Sequence, residues 1–128
     1  MDIIVQVDSS ALKRLPDKAN EIQRVLETTI SEVIQKVFAE SQVLVPVDTG
    51  ALKASGRIVR ETDRRGKATS QYVTYGNDNV TYAVQVHEDM GVRHTAPTRA
   101  KYLEVPLMSN APLLKELLTQ RIALILSA

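Results

Sequence analysis

The stretch Val45–Lys53, VPVDTGALK, holds the residues that most resemble a catalytic motif. Asp48-Thr49-Gly50-Ala51 has the spelling of the tetrapeptide that supplies the catalytic aspartate of aspartic proteases. Such a site needs two carboxylates that share one proton, so a chain of this length would have to form it by homodimerising. The context argues against a protease, because Pro46 and a predicted long helix precede Asp48 where those enzymes have an apolar strand.

The same segment has a structural interpretation. Pro46 is predicted to end the preceding helix, since the residue before a proline is disfavoured in the α conformation. Asp48 or Thr49 then caps a short turn. Within this turn Gly50 allows a close approach of the chain, and Leu52 faces the core. A structural turn is therefore the prediction for this segment.

A second cluster of candidate catalytic or metal-binding side chains comprises His87, Glu88, Asp89 and His94. Zincins place two histidines four residues apart on a helix, whereas seven residues separate these two and a strand followed by a loop is predicted. No serine lies in a nucleophile elbow, and no glycine-rich phosphate loop occurs. The sequence predicts no enzymatic activity, no metal and no cofactor. A hydrolase built on this cluster or on Asp48 is the less favoured alternative.

A basic run lies in the middle of the chain and is interrupted by Glu61 and Asp63. It is predicted to form the exposed face and tip of a hairpin. Contact with DNA phosphates or with an acidic neighbouring subunit is the alternative, and in the first case the protein would be a nucleic-acid-binding module. The net charge of +1 gives no global field that favours nucleic acid or an acidic membrane. The run comprises Arg57, Arg60, Arg64, Arg65 and Lys67.

Composition bounds the class of protein. The 128 residues fit one domain, 1–128, and 44% hydrophobic with 24% charged residues is typical of a globular protein. The absence of cysteine excludes disulfides and thiolate metal sites. No signal peptide is recognisable, and no apolar run approaches the roughly 18 residues of a membrane span. We expect a soluble protein, intracellular when synthesised, without a membrane partner.

Hydrophobic periodicity predicts the order β-α-β-β-β-α. Residues 3–7 alternate as a strand, and apolar residues at intervals of three and four predict a helix from about Asp17 to about Val43, roughly 40 Å long. The later elements are a strand at Arg57–Thr62, a hairpin of Gln71–Tyr75 and Val80–Val86 around the turn Gly76–Asn79, and a C-terminal helix capped by Ser109 or Asn110 with Pro112 in its first turn.

These elements predict an α+β fold. An antiparallel sheet of about four strands packs with one long N-terminal helix and a C-terminal helix. Both helices carry more apolar surface than a domain of this size is expected to bury. Self-association of the chain is therefore predicted.

Two segments, in this order, resemble one family: PVDTGALKASGRI (Pro46–Ile58) and YAVQVHEDMGVRHTAPTRAKYLEVPL (Tyr82–Leu107). They are similar to the neck, or tail-completion, proteins that join head and tail in long-tailed bacteriophages. Members have a Pro-Val-Asp-Thr-Gly-x-Leu turn, a hairpin ending in Tyr-Ala-x-x-Val-[His/Glu]-Glu, and Ala-Lys-[Tyr/Phe]-Leu before the last helix. Many members have Phe-Gly-Thr directly after the Glu of the second motif, where this chain has Asp89-Met90-Gly91. Within the two segments, the matching positions form three short segments, Pro46–Leu52, Tyr82–Glu88 and Ala100–Leu103.

The resemblance implies assembly rather than catalysis. Family members form a ring in the virion between the portal and head-closure proteins and the tail tube, and DNA passes through it. Six copies are favoured and twelve are the alternative; before assembly the chain would be in the host cytoplasm. A tail terminator that caps the tube is the nearest alternative function. The residues implied as motif or interface positions are Tyr82, His87, Glu88, Lys101, Tyr102 and Leu103.

Overall fold

The computed structural model describes residues 2–6, 18–47, 50–91, 94 and 96–127. It confirms the α+β class, the antiparallel sheet and the long N-terminal and C-terminal helices. Asp48 and Thr49, the predicted caps of the turn, and Asp17, where the long helix was predicted to begin, lie outside the described residues. The elements are β1 (Asp2–Gln6), α1 (Ala19–Leu44), α2 (Ala51–Ala54), β2 (Arg57–Thr62), β3 (Ala68–Thr74), α3 (Ala83–Glu88) and α4 (Glu104–Ser127).

Helix α1 is the central element and has 26 residues, about 39 Å at 1.5 Å per residue. One stripe of its surface is buried, at the predicted spacing of three and four residues. It ends at Leu44 because Val45 precedes Pro46 and has extended backbone, with ψ 129°. The buried apolar residues are Ile22, Leu26, Ile30, Val33, Ile34 and Val37.

The sheet has the strand order β1-β3-β2, and both pairings are antiparallel. Val73 in the central strand lies opposite Ile58 in β2, and both belong to the core that α1 covers. Two residues earlier on the same face, Gln71 donates its side-chain N–H to the carbonyl oxygen of Glu27 at 3.2 Å. One face of the sheet is therefore attached to the N-terminal half of α1.

Helix α4 runs antiparallel to α1. Near its start, Asn110 donates to Glu40 Oε2 at 2.7 Å, and near its end the carbonyl oxygen of Ile125 accepts a hydrogen bond from Lys18 Nζ at 2.7 Å. Between them, Arg121 reaches the buried hydroxyl of Thr29 at 3.0 Å. Among the described residues, no helix is long and apolar enough to cross a membrane.

The predicted fourth strand is wrong. Val80 closes a short bridge with Asn77, and residues 83–88 then form α3 instead of pairing as a strand. The segment carries two periodicities: valines alternate, but Ala83 and His87, four residues apart, are the pair that is buried, while Val84 is 51% exposed. Packing against the start of α4 favours the helical pattern over the β propensity of the valines.

The predicted start of the C-terminal helix is also wrong. Helix α4 begins at Glu104, before Ser109 and Asn110, which lie inside it. Their side chains bond back to carbonyl oxygens four residues earlier, at 2.8 Å each, instead of capping a helix start. Pro112 lies inside the helix rather than in its first turn. Ser109 and Asn110, which precede Pro112, matched the sequence pattern of a helix N-terminus although they lie inside the helix.

Gly56→Ala is expected to destabilise the fold by about 1–3 kcal/mol through overpacking. A Cβ atom at Gly56 would lie 2.5 Å from Cε1 of Tyr75 and 2.6 Å from Nε2 of Gln42. Urea unfolding followed by circular dichroism measures the effect. Gly91→Ala is the control, since a Cβ there meets, among the described residues, one atom, in the side chain of Asp89 at 3.3 Å. Equal midpoints for the two variants would contradict the prediction.

Candidate functional site

The three segments that carry the family resemblance meet in one hydrophobic core. Leu52 comes from the first segment, Ala83 from the second, and Tyr102 and Leu103 from the third. All four are at most 4% exposed. Positions that are widely separated in the sequence therefore form one packed unit with α1 and β3.

His87 connects α3 to the first turn of α4. Its ring is 2% exposed, and Nε2 accepts the backbone N–H of Glu104 at 3.2 Å. This N–H has no acceptor within the helix, so the imidazole takes the role of a cap. The proton of the neutral ring is then on Nδ1, which donates to Glu88 Oε1 at 2.8 Å. Both ring nitrogens are engaged, which fixes the orientation of the side chain.

Tyr102 lies beneath this cap. Its hydroxyl donates to the carbonyl oxygen of Ala83 at 2.8 Å, and its ring makes edge contacts with His87 and Tyr75 at centroid distances of 5.0 and 5.1 Å. Burial raises the pKa of Tyr102 well above its ordinary value of 10.0. The aromatic cluster links α3 to the residue that follows β3 and to the segment that precedes α4.

Sequence reasoning missed the residues that attach this cluster to α1. The hydroxyl of Tyr75 bonds Ser41 Oγ at 2.8 Å and accepts a hydrogen bond from Gln42 Nε2 at 2.8 Å. Burial raises the pKa of Tyr75, and both hydrogen bonds oppose that shift. A signal was present, since Ser41 continues the apolar spacing of Ile34 and Val37. A polar residue on a buried stripe indicates a partner inside the core.

Lys101 joins two carboxylates on the surface above the cluster. Its ammonium group binds Glu88 and lies 3.4 Å from Glu104 Oε2. The hydrogen bond from Lys101, followed by that from His87, holds the pKa of Glu88 below its ordinary value. Conversely, Glu88 raises the pKa of Lys101. Lys101 has φ 59°, and its N–H bonds the carbonyl oxygen of His87 at 2.7 Å, so this backbone conformation is held by the contact with α3.

Lys101→Met is expected to move the pKa of Glu88 up toward its ordinary value of 4.5, because Lys101 is the main cause of the lowered pKa. A pKa lowered by folding stabilises the protein above the unfolded value and loses that contribution as pH falls through the folded value. At neutral pH the wild type should therefore have a stabilising contribution that the variant lacks, and it should lose this contribution as the pH falls. Carboxyl carbon shifts in an NMR titration measure the pKa. Lys115→Met, on the exposed face of α4, is the control; identical Glu88 titration in both variants would contradict the prediction.

The turn before α2 differs in one respect from its interpretation. Gly50 has φ +84°, in the left-handed region that side chains disfavour, and immediately precedes the first residue of α2. Among the described residues, no heavy atom lies within 4 Å of the position that a Cβ would take. The predicted close approach is therefore not found in the described part of the chain, and the positive φ is the reason for glycine. Leu52 is 4% exposed and packs in the core, while Pro46 follows α1.

The structure separates the members of the basic run. Arg57 lies at the base of the hairpin and donates to the carbonyl oxygens of Ser55 and Gly76, at 2.9 and 3.0 Å. Arg60 pairs with Glu27 of α1 at 3.5 Å. The tip, Asp63–Lys67, carries the remaining cations, which are exposed: Arg64, Arg65 and Lys67. We call this tip the cationic arm.

The opposite end of the molecule exposes apolar side chains. They lie on the elements that meet at the C-terminal end of α1, where the backbone N–H of Arg99 bonds the carbonyl oxygen of Leu44 at 2.8 Å. The exposed large apolar residues at this end are Val43, Val47, Tyr82, Val84, Met90 and Met108, which range from 40% to 70% exposed.

No metal centre is found in the described part of the chain, where no three His, Cys, Asp or Glu side chains come together. His87 has both ring nitrogens engaged with Glu88 and Glu104, as described above. His94 lies beside a shallow cleft with Met90 and Thr98. A second cleft, of about 360 Å³, lies between α1, β1 and the hairpin and includes Glu27 and Lys67.

The described residues therefore have three features: a contact between α3 and α4 that His87 holds, a cationic arm, and an end with exposed apolar side chains. No protein-family model, curated protein or solved structure matches the chain.

Proposed function

We propose that the chain is a structural protein of the neck of a long-tailed bacteriophage, where copies form a ring between the head and the tail tube and DNA passes through. Six copies match a six-fold tail tube, and twelve is the alternative. The observation that carries the proposal is the convergence of the three resemblance segments, through Leu52, Ala83, Tyr102 and Leu103, on one core. Each of the three segments thus places at least one residue in the core, as a motif that specifies a fold is expected to do.

The exposed surfaces support the assembly part of the proposal. A ring needs two different surfaces on each copy, because its contacts are heterologous and close by rotation. The cationic arm and the apolar end lie on different parts of the molecule and are chemically different. The apolar end includes Tyr82 and Met90, which are 40% and 70% exposed and which a neighbouring subunit would cover.

Localisation in the virion tests this function. Antibodies against the chain, applied to purified virions and detected by gold labelling, are expected to mark the head-proximal end of the tail. Labelling of isolated tails alone, with free tails blunt and complete, would favour the tail terminator. Virions that lack the chain altogether would contradict both assignments.

A further inference from the structure

The cationic arm has a fixed shape. One carboxylate oxygen of Asp63, Oδ1, accepts the backbone N–H groups of Arg65 and Lys67 at 2.8 and 3.0 Å, and Gly66 takes φ +81° to close the turn. The carboxylate of Asp63 is thus engaged by backbone. The turn directs the side chains of Arg64, Arg65 and Lys67 away from any core, since residues 60–67 are all exposed.

The base of the arm is braced against α1 by Glu27. Its Oε1 accepts the N–H of Ala68 at 2.9 Å, and its Oε2 pairs with Arg60 at 3.5 Å. A charged arm that is held in place before it meets a partner loses little entropy on binding. In the described part of the chain, Arg64, Arg65 and Lys67 make no side-chain ion pair of their own.

Carboxylates lie at the other end of α1. We call the exposed Glu88, Asp89 and Glu104 the acidic junction. Lys101 lies between two of them and offsets part of their charge, while the nearby Arg99 directs its guanidinium to the carbonyl oxygen of Ala100 at 3.1 Å. The exposed apolar residues Val84 and Met90 lie within α3 and two residues after it, close in sequence to Glu88 and Asp89.

The arm and the junction of one copy cannot meet each other. The arm attaches to α1 at Glu27, whereas Arg99, two residues before the Lys101 that pairs with the junction, attaches at Leu44. These two positions of α1 are 17 residues, or about 25 Å, apart on a straight helix. Opposite charges that are too far apart to meet within one subunit can form pairs between successive copies. Such a contact joins two different surfaces and is therefore heterologous.

We propose that the cationic arm of one copy binds the acidic junction of the next copy in the ring. This contact rests on the proposed function in so far as it places the copies in a ring, and it names the surfaces through which they meet. Arg64 and Arg65 bind the carboxylates, and the apolar groups beside the junction are buried by the neighbour. The interruption of the basic run by Glu61 and Asp63, and the absence of aromatic residues at the tip, favour a protein surface over nucleic acid.

Charge reversal tests the contact. The arm variant is Arg64→Glu with Arg65→Glu, and the junction variant is Asp89→Lys with Glu104→Lys. Each is expected to raise the dissociation constant for self-association about tenfold or more at low ionic strength, because like charges then face each other. Sedimentation and light scattering measure the masses. The control, Lys36→Glu with Lys115→Glu, makes the same change of net charge as the arm variant at exposed sites and should assemble as the wild type does.

An equal mixture of the two reversed variants gives the sharper result. Acidic arms then meet basic junctions and basic arms meet acidic ones, so complexes of alternating copies should form again. Thermal unfolding checks that each variant is folded; if the double junction variant melts early, Asp89→Lys alone replaces it. A mixture of folded variants that stays dissociated, an arm variant that assembles normally, or a wild type that is monomeric at its highest soluble concentration overturns the proposal.

Two further outcomes separate this contact from its alternatives. Duplex DNA binding that is lost in the arm variant, with self-association unchanged, assigns the arm to nucleic acid instead. If antibody labelling places the chain in the virion neck but charge reversal leaves its self-association unchanged, the proposed contact is wrong and the neck function stands. If the reversed variants recombine but virions lack the chain, the contact stands and the neck function is wrong.

Discussion

A Tyr102→Ala variant is expected to lose about 3–5 kcal/mol of unfolding free energy, the usual cost of removing a buried aromatic side chain. Tyr102 is 0% exposed and contacts His87 and Tyr75, so its removal leaves a cavity where α3, α4 and β3 meet. Domains are stable by only about 5–15 kcal/mol, so much of the margin is lost. Urea unfolding followed by far-UV circular dichroism measures the change.

Tyr102→Phe separates the ring from the hydroxyl. The phenylalanine ring keeps the aromatic contacts but leaves the carbonyl oxygen of Ala83 without its donor, at an expected cost of about 1–3 kcal/mol. The alanine variant must therefore be clearly less stable than the phenylalanine variant. Equal stabilities of the two variants, or an alanine variant as stable as the wild type, would show that this aromatic cluster does not hold α3 against the start of α4.

Leu52→Ala is expected to cost about 2–5 kcal/mol, the range for a buried leucine. Leu52 is 4% exposed and is the one buried residue of α2, a helix of four residues. The variant tests whether the segment after Pro46 is an architectural anchor. Chemical denaturation with two probes, circular dichroism and tyrosine fluorescence, gives the free energy and checks that unfolding is cooperative.

Lys53→Ala is the matched control for this variant. Lys53 is the next residue on the same short helix, but its side chain is exposed, and exposed substitutions usually change stability by less than about 0.5 kcal/mol. If the Leu52→Ala and Lys53→Ala variants have the same free energy of unfolding, Leu52 does not contribute to the core as described.

The long helices were predictable because a single periodicity runs through many residues. In α1, Ile22, Leu26 and Ile30 repeat at helical spacing, and Pro46 marks the end of the helix. The hairpin tip was predictable from Gly66 among charged residues. In these segments local preference and tertiary packing agree, so sequence pattern and structure give the same element.

Short segments with two periodicities were not predictable. Valines at alternate positions favoured a strand over residues 80–86, while the burial of Ala83 and His87 follows a helical spacing that only the contact with Tyr102 decides. Likewise, nothing in the sequence distinguishes Asn110 inside a helix from Asn110 at a helix start until Glu40 is placed beside it. Long-range partners decide both cases.

The site was predictable as a set of residues but not as a set of contacts. The resemblance singled out His87, Glu88 and Lys101, yet the backbone N–H of Glu104 as partner of His87 follows only from the packing of α3 on α4. The role of Glu27 as brace of the cationic arm joins residues that are 41 positions apart. Such pairings carry no sequence period and require the folded chain.

Depletion of the protein from an infection tests the neck assignment most directly. A phage in which this gene is silenced should accumulate filled heads and separate, complete tails, seen by electron microscopy, and should release few infectious particles. Supplying the wild-type chain in trans should restore joined particles. Normal infectious virions formed in the absence of the chain would contradict the assignment.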